Sequence, residues 1–297
     1  MSPIVIAILI LIAAALGWGQ KALDRRRYGP EPSKLPSVEP LQADTNGGPT
    51  AIQPPPIPSV RFRDGIACLA AFLLAQFLAW LVAAFIAVGR AGVRATKAAS
   101  MAEMVRLVPV ALLLAEALGA LAIVIVLRRL SRRISWEVLK AELGLSWGTF
   151  RANGLAVAGG LMLGALSLVS LFTESKHTTF HPGFLAQALF GSAASRLAWA
   201  VVAGLMAGPA EEVLFRGALL TAFSKVARVS IAGIASGFAF WLLHLPNFEG
   251  SWAGAVSVAL FAAFATVLRL RTGSIGPPIA AHVANNLLLA VLVVRAA

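Results

Sequence analysis

The sequence predicts an all-α protein, a polytopic transmembrane helical bundle of about eight helices that includes an N-terminal anchor. Apolar residues make up 59% of the 297 positions, charged residues make up 13%, and the mean hydropathy is +0.82. Soluble domains carry about 25% charged residues, so this composition is far from theirs. The apolar runs are continuous and rich in Ala and Leu, which favours helices over the alternating strands of a membrane barrel.

Eight apolar runs account for the predicted helices. A helix needs about 20 apolar residues to span a bilayer, and six of the runs approach that length. Between the 105–127 and 154–172 runs, "SWEVLKAELGL" at 135–145 has the pattern of an amphipathic interfacial helix. The long runs are 66–89, 105–127, 154–172, 197–223, 253–268 and 276–294, and the short ones are 4–18 and 230–245.

The pattern divides the chain into three parts. Residues 1–20 are predicted to be an N-terminal membrane anchor, because no Lys or Arg precedes the apolar run and a cleaved signal peptide would begin with basic residues. Residues 21–65 are predicted to be a cytoplasmic linker, since their proline-rich composition is typical of disordered segments. Residues 66–297 are predicted to form the transmembrane bundle, with a motif-bearing core at 195–294.

The net charge of +12 indicates membrane orientation rather than a nucleic-acid partner. Basic residues cluster at the ends of apolar runs, as in "RRLSRR" at 128–133, which follows the positive-inside rule. The stretch 90–106 is the exception, because its basic residues would face outward. We expect a multi-pass protein of the bacterial plasma membrane, with its functional site reached from the cytoplasmic side. Cys68 is the only cysteine and lies within a span, which excludes a disulfide framework.

Three predicted helices each carry two notable side chains four residues apart, a spacing that places both on one helical face. Glu211 precedes the first pair and points about 100° away from Glu212, so the two carboxylates face different neighbours. We expect Glu212 to form an ion pair with Arg216 and Glu211 to face a polar cavity within the bundle. The pairs are Glu212 with Arg216, Phe240 with His244, and His282 with Asn286.

Two prolines predict where the helices around these pairs begin and end. A Gly-Pro dipeptide at 208–209 predicts a break, after which a renewed helix would hold the glutamates in its first turn, where the dipole favours negative charge. Pro246 predicts that the preceding helix ends near His244. A rise of about 1.5 Å per residue from the nearest basic edges puts Glu211, His244 and His282 at similar depths, so they can meet.

This set of side chains suits the hydrolysis of a carbonyl compound. A glutamate and a histidine can take the proton of an attacking water, while a second histidine and an amide donate hydrogen bonds to the developing oxyanion. No covalent nucleophile is needed. The serines near the cluster have no spacing that pairs them with a base, and the sequence contains no Gly-x-Ser-x-Gly elbow near them.

The motifs resemble those of the CAAX prenyl protease type II and bacteriocin-processing (CPBP) intramembrane endopeptidases. That family has the motifs Glu-Glu-x-x-x-Arg, Phe-x-x-x-His and His-x-x-x-Asn, in this order on successive helical segments. Here they are matched by "EEVLFR" at 211–216, "FWLLH" at 240–244 and "HVANN" at 282–286. The resemblance covers about the last third of the chain, from 195 onward.

The resemblance implies a role for each matched residue and a class of substrate. Glu211 and His244 would activate the water, and His282 and Asn286 would form the oxyanion site. The substrate would be a membrane-associated peptide or a C-terminally prenylated Cys-a-a-X protein. The remaining two motif residues, Glu212 and Arg216, would support this arrangement.

The sequence leaves the metal question open, because many members of the family are described as metalloproteases. Glu211, His244 and His282 would make an open Zn²⁺ site of two histidines and a carboxylate, with water as the fourth ligand. A mechanism without a required cofactor assigns a role to every residue of the set, so we prefer the metal-free version to Zn²⁺.

Other interpretations stay open at this point. Buried carboxylates also occur in ion-coupled secondary transporters, and a non-catalytic bacteriocin-immunity or scaffold protein could retain the motifs.

Glu116 is a further acid within a span, which would pair with Arg216 or Arg106 or line the pocket. Near Glu174, His177 and His181 have the spacing of metal ligands but lie in a turn-like segment, which indicates a solvated loop. Of the four histidines of the chain, two therefore belong to the predicted site and two to this loop.

Overall fold

The protein is all-α and polytopic, as the sequence predicts. A computed structural model describes residues 59–92, 97–175, 201–245 and 252–295, and no strand occurs within these ranges. The predicted anchor 1–20 and the linker up to residue 58 lie outside the described residues, as do His177, His181 and Pro246. Among the described residues, four helical segments are long and apolar enough to cross a membrane; they are Phe62–Ala91, Val110–Ser131, Phe150–Val169 and Trp252–Thr272.

The seven predicted runs after the anchor each coincide with a helix. We number the helices of the described ranges in chain order, with the amphipathic segment as the third. One helix, α5, alternates between α-helical and π-helical turns without leaving helical geometry. The bounds are α1 Phe62–Ala91, α2 Lys97–Ser131, α3 Trp136–Leu143, α4 Phe150–Ser175, α5 at 202–223, α6 Val229–His244, α7 Trp252–Thr272 and α8 Gly276–Arg295.

Two of these bounds differ from the predicted segments. Helix α1 begins at Phe62, so the last residues of the predicted 21–65 linker already belong to the bundle. Asp64 begins this helix early, because its carboxylate accepts a hydrogen bond from the Arg61 N–H at 2.7 Å and pairs with Arg133. Helix α2 begins at Lys97, within the stretch 90–106 that departs from the positive-inside pattern.

The predicted break at the Gly-Pro dipeptide is wrong. Gly208 has φ −50° and ψ −57°, which are right-handed helical values, and the chain runs from Val202–Ala207 through Gly208–Glu212 without interruption. The preceding turn is π-helical and therefore wider than an α-helical turn. In a regular α-helix the ring of Pro209 would clash with the carbonyl four residues earlier, and the wider turn relieves that clash.

Helix α5 occupies the centre of the bundle. It packs against α1, α2, α3, α6, α7 and α8, and every residue from 214 to 222 is buried. Leu214, Phe215 and Leu219 supply its apolar contacts to the core. Ionisable residues on this helix are therefore enclosed by protein rather than exposed to lipid.

Helix α3 is amphipathic, as its sequence pattern predicts. The Ser135 side chain accepts from the Val138 N–H at its start, and Gly144 ends it with a left-handed φ of 66°. Leu139 and Leu143 are fully buried, whereas Trp136 on another face is exposed. This short helix packs against the central helix α5 and α2.

Candidate active site

Glu212 and Arg216 of α5 form the ion pair that their spacing predicts. Arg216 Nη1 donates to Glu212 Oε1 at 3.0 Å, and both side chains are fully buried. The guanidinium also donates through Nη2 to the Ala262 carbonyl at 3.0 Å, and its Cζ lies 4.4 Å from the centroid of the Phe240 ring. Three helices therefore hold this arginine in place.

Glu212 also anchors the histidine of α8. His282 Nδ1 lies 2.8 Å from Glu212 Oε1, the same oxygen that accepts from Arg216. An ionised carboxylate only accepts hydrogen bonds, so Nδ1 of His282 carries the proton of this bond. The ring packs against Phe261 at 4.6 Å and edge-on against Phe240 at 5.8 Å.

His244 ends α6 and is oriented by its own helix. Its Nδ1 lies 2.8 Å from the carbonyl oxygen of Phe240, and its ring stacks on the Phe240 ring at 4.3 Å. Because a carbonyl only accepts, Nδ1 donates here as well. Because Nδ1 is bonded to its own helix, the ring turns Nε2 toward the interior of the bundle. The four-residue spacing of Phe240 and His244 is what makes this bond possible.

The two histidines converge on Glu211. Its Oε2 lies 3.7 Å from His244 Nε2 and 3.9 Å from His282 Nε2, and this oxygen has no hydrogen-bond partner in the part of the chain that the structure describes. Glu211 is 9% exposed and His282 is 4% exposed. The structure thus confirms that these three side chains, distant in sequence, meet at one place.

Asn286 follows His282 by one helical turn on α8. Its Oδ1 accepts from Asn285 Nδ2 at 3.1 Å, so its own amide nitrogen is oriented away from that neighbour. The side chain is half-buried. Its position on the face of His282 agrees with the predicted placement, and its role in an oxyanion site stays a prediction.

Glu116 of α2 is the acid whose place the sequence left open. It pairs with neither arginine considered for it, since Arg106 binds Glu103 at 2.6 Å and Arg216 binds Glu212. Instead Glu116 Oε1 accepts from Gln76 Nε2 of α1 at 2.8 Å. The carboxyl group is buried and lies close enough to interact electrostatically with Glu211 and His244. It therefore contributes to the electrostatic environment of the same site.

Two contributors to the site carry no signal in their local sequence. Phe261 packs on His282, and the Ala262 carbonyl accepts from Arg216. Both lie in an ordinary apolar stretch of α7, where nothing distinguishes them from lipid-facing neighbours. Gln76 of α1 was detectable in principle, because it is a polar side chain inside a predicted span.

The metal-free version of the site stays a prediction, since the residue types also permit a Zn²⁺ site of Glu211, His244 and His282. Within 59–92, 97–175, 201–245 and 252–295, no three His, Cys, Asp or Glu side chains are grouped so that they could hold a metal ion. We therefore derive no catalytic step through a metal.

Comparisons with known proteins match about a third of the chain, which includes the three motifs of this site. Residues 193–288 match the family described as "Type II CAAX prenyl endopeptidase Rce1-like". The "Uncharacterized protein YyaK" of Bacillus subtilis (strain 168) is 35% identical over 109 residues, which cover 34% of this chain and 36% of that protein. The chain thus matches about a third of the length of this curated relative. No solved structure matches the chain.

Proposed function

We propose that this chain, whose residues 193–288 belong to the Rce1-like family of type II CAAX prenyl endopeptidases, is an intramembrane endopeptidase. Its substrate would be a membrane-associated peptide or a C-terminally prenylated protein. The observation that carries the proposal is the convergence of His244 Nε2 and His282 Nε2 on the unpartnered Oε2 of Glu211.

Glu211 and His244 together suit the activation of a water. Their separation of 3.7 Å is too long for a direct hydrogen bond and is a distance that a bridging water can serve. The bond from His244 Nδ1 to the Phe240 carbonyl leaves Nε2 as the free basic nitrogen of the neutral ring. Nε2 can then take a proton from water that Glu211 Oε2 orients.

His282 suits the oxyanion site only when it is doubly protonated. Its Nδ1 proton is already used on Glu212, so a hydrogen bond to the oxyanion requires a second proton on Nε2. The resulting imidazolium would be stabilised by Glu212 at 2.8 Å, in the way that a buried carboxylate stabilises the imidazolium of a catalytic triad. Asn286 would supply the second donor through its amide group.

Glu212 and Arg216 would position this machinery without touching the substrate. Arg216 holds the Glu212 carboxylate in place, and Glu212 in turn orients His282. Two charged groups that are both fully buried would be costly if unpaired, so their mutual bond is a condition of the arrangement. This is the supporting role that the motif implies for the pair.

Access from the cytoplasmic side of the bacterial plasma membrane is part of the proposal. The ends of α5 and α7 and the start of α6 carry the basic residues that the positive-inside rule places in the cytoplasm. They lie at one end of the bundle, where Lys225 binds Glu142 at 2.7 Å. A C-terminal prenyl group inserted in the inner leaflet would reach the bundle from the same side.

The test is peptide turnover by the purified full chain in lipid vesicles. The substrates are a farnesylated Cys-a-a-X peptide, its unprenylated counterpart and a general peptide library. We expect cleavage by the wild type and a loss of about 10²–10⁴-fold in Glu211→Gln and His244→Ala. Glu103→Gln, on α2 and paired with Arg106 away from the site, is the matched control and should retain full activity. Equal rates for the wild type and Glu211→Gln would refute the proposal.

A further inference from the structure

Glu116 is a buried acid to which the steps of hydrolysis proposed above assign no role. It reaches the site from α2, outside the segment 193–288 that matches the protease family. Its side chain is about nine-tenths buried, with 8% relative exposure. Oε1 accepts a hydrogen bond from Gln76 Nε2, whereas Oε2 has no partner within the described ranges.

The packing of α2 brings this acid to the reacting groups. Helix α2 contacts the segment Gly208–Glu212, which carries Glu211. Glu116 interacts electrostatically with both Glu211 and His244. A carboxyl group from a separate helix is therefore near enough to act on the charges of Glu211 and His244.

The charge balance of the site indicates that it holds extra protons. The site has three carboxyl groups, those of Glu116, Glu211 and Glu212, and one guanidinium, that of Arg216. Charged groups enclosed in a bundle are stable only when they are paired. One further positive charge is supplied if His282 is the imidazolium that the oxyanion role requires. One carboxyl group must then be neutral for the site to be uncharged.

The hydrogen bonds identify Glu116 as the neutral carboxyl group. Glu212 accepts from a guanidinium and from His282, and Glu211 faces the nitrogens of both histidines. Glu116 has only a neutral amide as its donor. Its Oε2, which accepts nothing, is the oxygen that can carry a hydrogen of its own.

We propose that Glu116 is the general acid of this site, a protonated carboxyl group that gives its proton to the amine released from the peptide. The inference rests on the proposed endopeptidase function and extends it. Hydrolysis of an amide needs such a donor, because an amide nitrogen leaves poorly as an anion.

The groups named above account for every proton that is transferred in the catalytic cycle. His244 Nε2 takes a proton from water as the oxygen attacks the carbonyl carbon, and His282 and Asn286 bind the oxyanion. When the tetrahedral intermediate collapses, the C–N bond breaks, its electron pair stays on nitrogen, and nitrogen takes the proton from Glu116 Oε2. The Glu116 carboxylate then regains the proton that His244 took. Peptide and water become a carboxylic acid and an amine.

The first test detects the proton and does not depend on turnover. Infrared spectra of the purified chain in vesicles at neutral pH should contain a carboxylic-acid C=O band that Glu116→Gln removes. Glu103→Gln, on the same helix, should leave that band unchanged. If the band is absent from the wild type, or survives in Glu116→Gln, the proton is elsewhere and the inference is wrong.

The second test separates proton donation from a structural role. Glu116→Gln keeps the size of the side chain and an oxygen that Gln76 can bind. It should slow cleavage of an amide substrate by about 10²-fold or more, yet leave cleavage of a nitrophenyl ester of the same peptide near the wild-type rate, because nitrophenolate leaves without a proton.

The outcomes distinguish this inference from the function on which it rests. Equal slowing of ester and amide, or no slowing of either while Glu211→Gln is inactive, overturns the role of Glu116 and leaves the protease proposal standing. A wild type that cleaves neither substrate overturns the protease proposal and the general-acid role together. The infrared test then still decides where the proton lies.

Discussion

At the scale of single residues, one oxygen of Glu212 binds both the arginine and a histidine of the site. Glu212 Oε1 accepts from Arg216 at 3.0 Å and from His282 at 2.8 Å. The first bond, between residues one turn apart, follows from spacing alone. The second joins residues 70 positions apart, and no local pattern predicts which of two adjacent glutamates makes it. The sequence analysis assigned Glu212 to the arginine and made no prediction of its bond to His282.

Glu212→Gln should cost both stability and activity. Removing one partner leaves Arg216 buried without a counter-charge, which destabilises by about 3–5 kcal/mol, as measured by unfolding in detergent. In the double variant Glu212→Gln/Arg216→Met the unpaired charge is gone, so stability should recover substantially. Activity should not recover, because His282 still lacks its carboxylate. Recovery of both would show that Glu212 acts only through the arginine.

Chelation should leave turnover unchanged. The donor atoms around Glu211 are not grouped as a metal site, and each catalytic step above is assigned to a side chain. We expect wild-type activity after incubation with a strong chelator and no stoichiometric metal by elemental analysis. Loss of activity that added Zn²⁺ restores would contradict this prediction and favour the metalloprotease alternative.

At the scale of elements, the π-helical turns of α5 place the site residues. The buried Ser236 of α6 donates to the Phe215 carbonyl at 2.6 Å, and Arg269 Nε of α7 donates to the Arg216 carbonyl at 3.1 Å. A π-helical segment shifts the usual backbone pairing, and these two side chains satisfy consecutive carbonyls from outside the helix. Sequence analysis predicted a break at the earlier Gly208–Pro209 dipeptide, because the local sequence does not show that the turn before the proline is π-helical.

Ser236→Ala should therefore weaken the bundle. The variant removes one of the two donors to the buried Phe215 carbonyl, which keeps the Leu220 N–H, so it should cost about 0.5–1.5 kcal/mol, measured as the free energy of unfolding in detergent. We also expect slower turnover, since α5 carries Glu211. The control is Ser131→Ala, which removes an exposed hydroxyl bonded to the Arg128 carbonyl and should change stability by less than about 0.5 kcal/mol. Equal effects of the two substitutions would count against a special role for the π turn.

Close packing of α4 on α8 fixes the position of His282. A Cβ at Gly160 would overlap the carbonyl oxygen of Ala281, the residue before His282, and one at Gly164 would lie 3.2 Å from the Asn285 carbonyl oxygen. Small residues spaced by four let helix backbones approach closely in membranes. The spacing is visible in the sequence, but its partner helix is not.

Gly160→Ala should displace α8 and reduce peptide turnover strongly, because an error of about 1 Å in catalytic geometry can cost 10²-fold in rate. Gly154 provides a matched control on the same helix, since a Cβ there meets nothing within 4 Å. Gly154→Ala should keep full activity and gain up to about 1 kcal/mol of stability from the better helix propensity of alanine. If Gly160→Ala is equally benign, the close contact does not position the site.

At the scale of the whole molecule, the basic ends of the helices gather at one end of the bundle. Glu142 accepts from the Val60 N–H and from Lys225, both at 2.7 Å, and the Ile275 N–H donates to the Gly144 carbonyl at 2.9 Å. These contacts join the start of α1, the end of α3, the end of α5 and the start of α8. The positive-inside rule then predicts that this end lies in the cytoplasm.

Thiol labelling in intact cells should confirm this orientation. In a Cys68→Ala background, Val226→Cys, at an exposed position beside Lys225, should react only with membrane-permeant reagents. Gly89→Cys, exposed near the far end of α1, should react with impermeant reagents from outside. The reverse pattern would invert the orientation and place the basic cluster outside.

The sequence by itself determined the helical membrane fold, the ion pair between Glu212 and Arg216, and the three motifs that hold the proposed chemistry. Those features depend on composition and on spacing within one helix, which the chain encodes locally. Only the tertiary structure decided that Glu116 belongs to the site and that α5 continues through its proline. Both depend on contacts between separate helices, and packing of whole side-chain surfaces determines which residues of different helices meet.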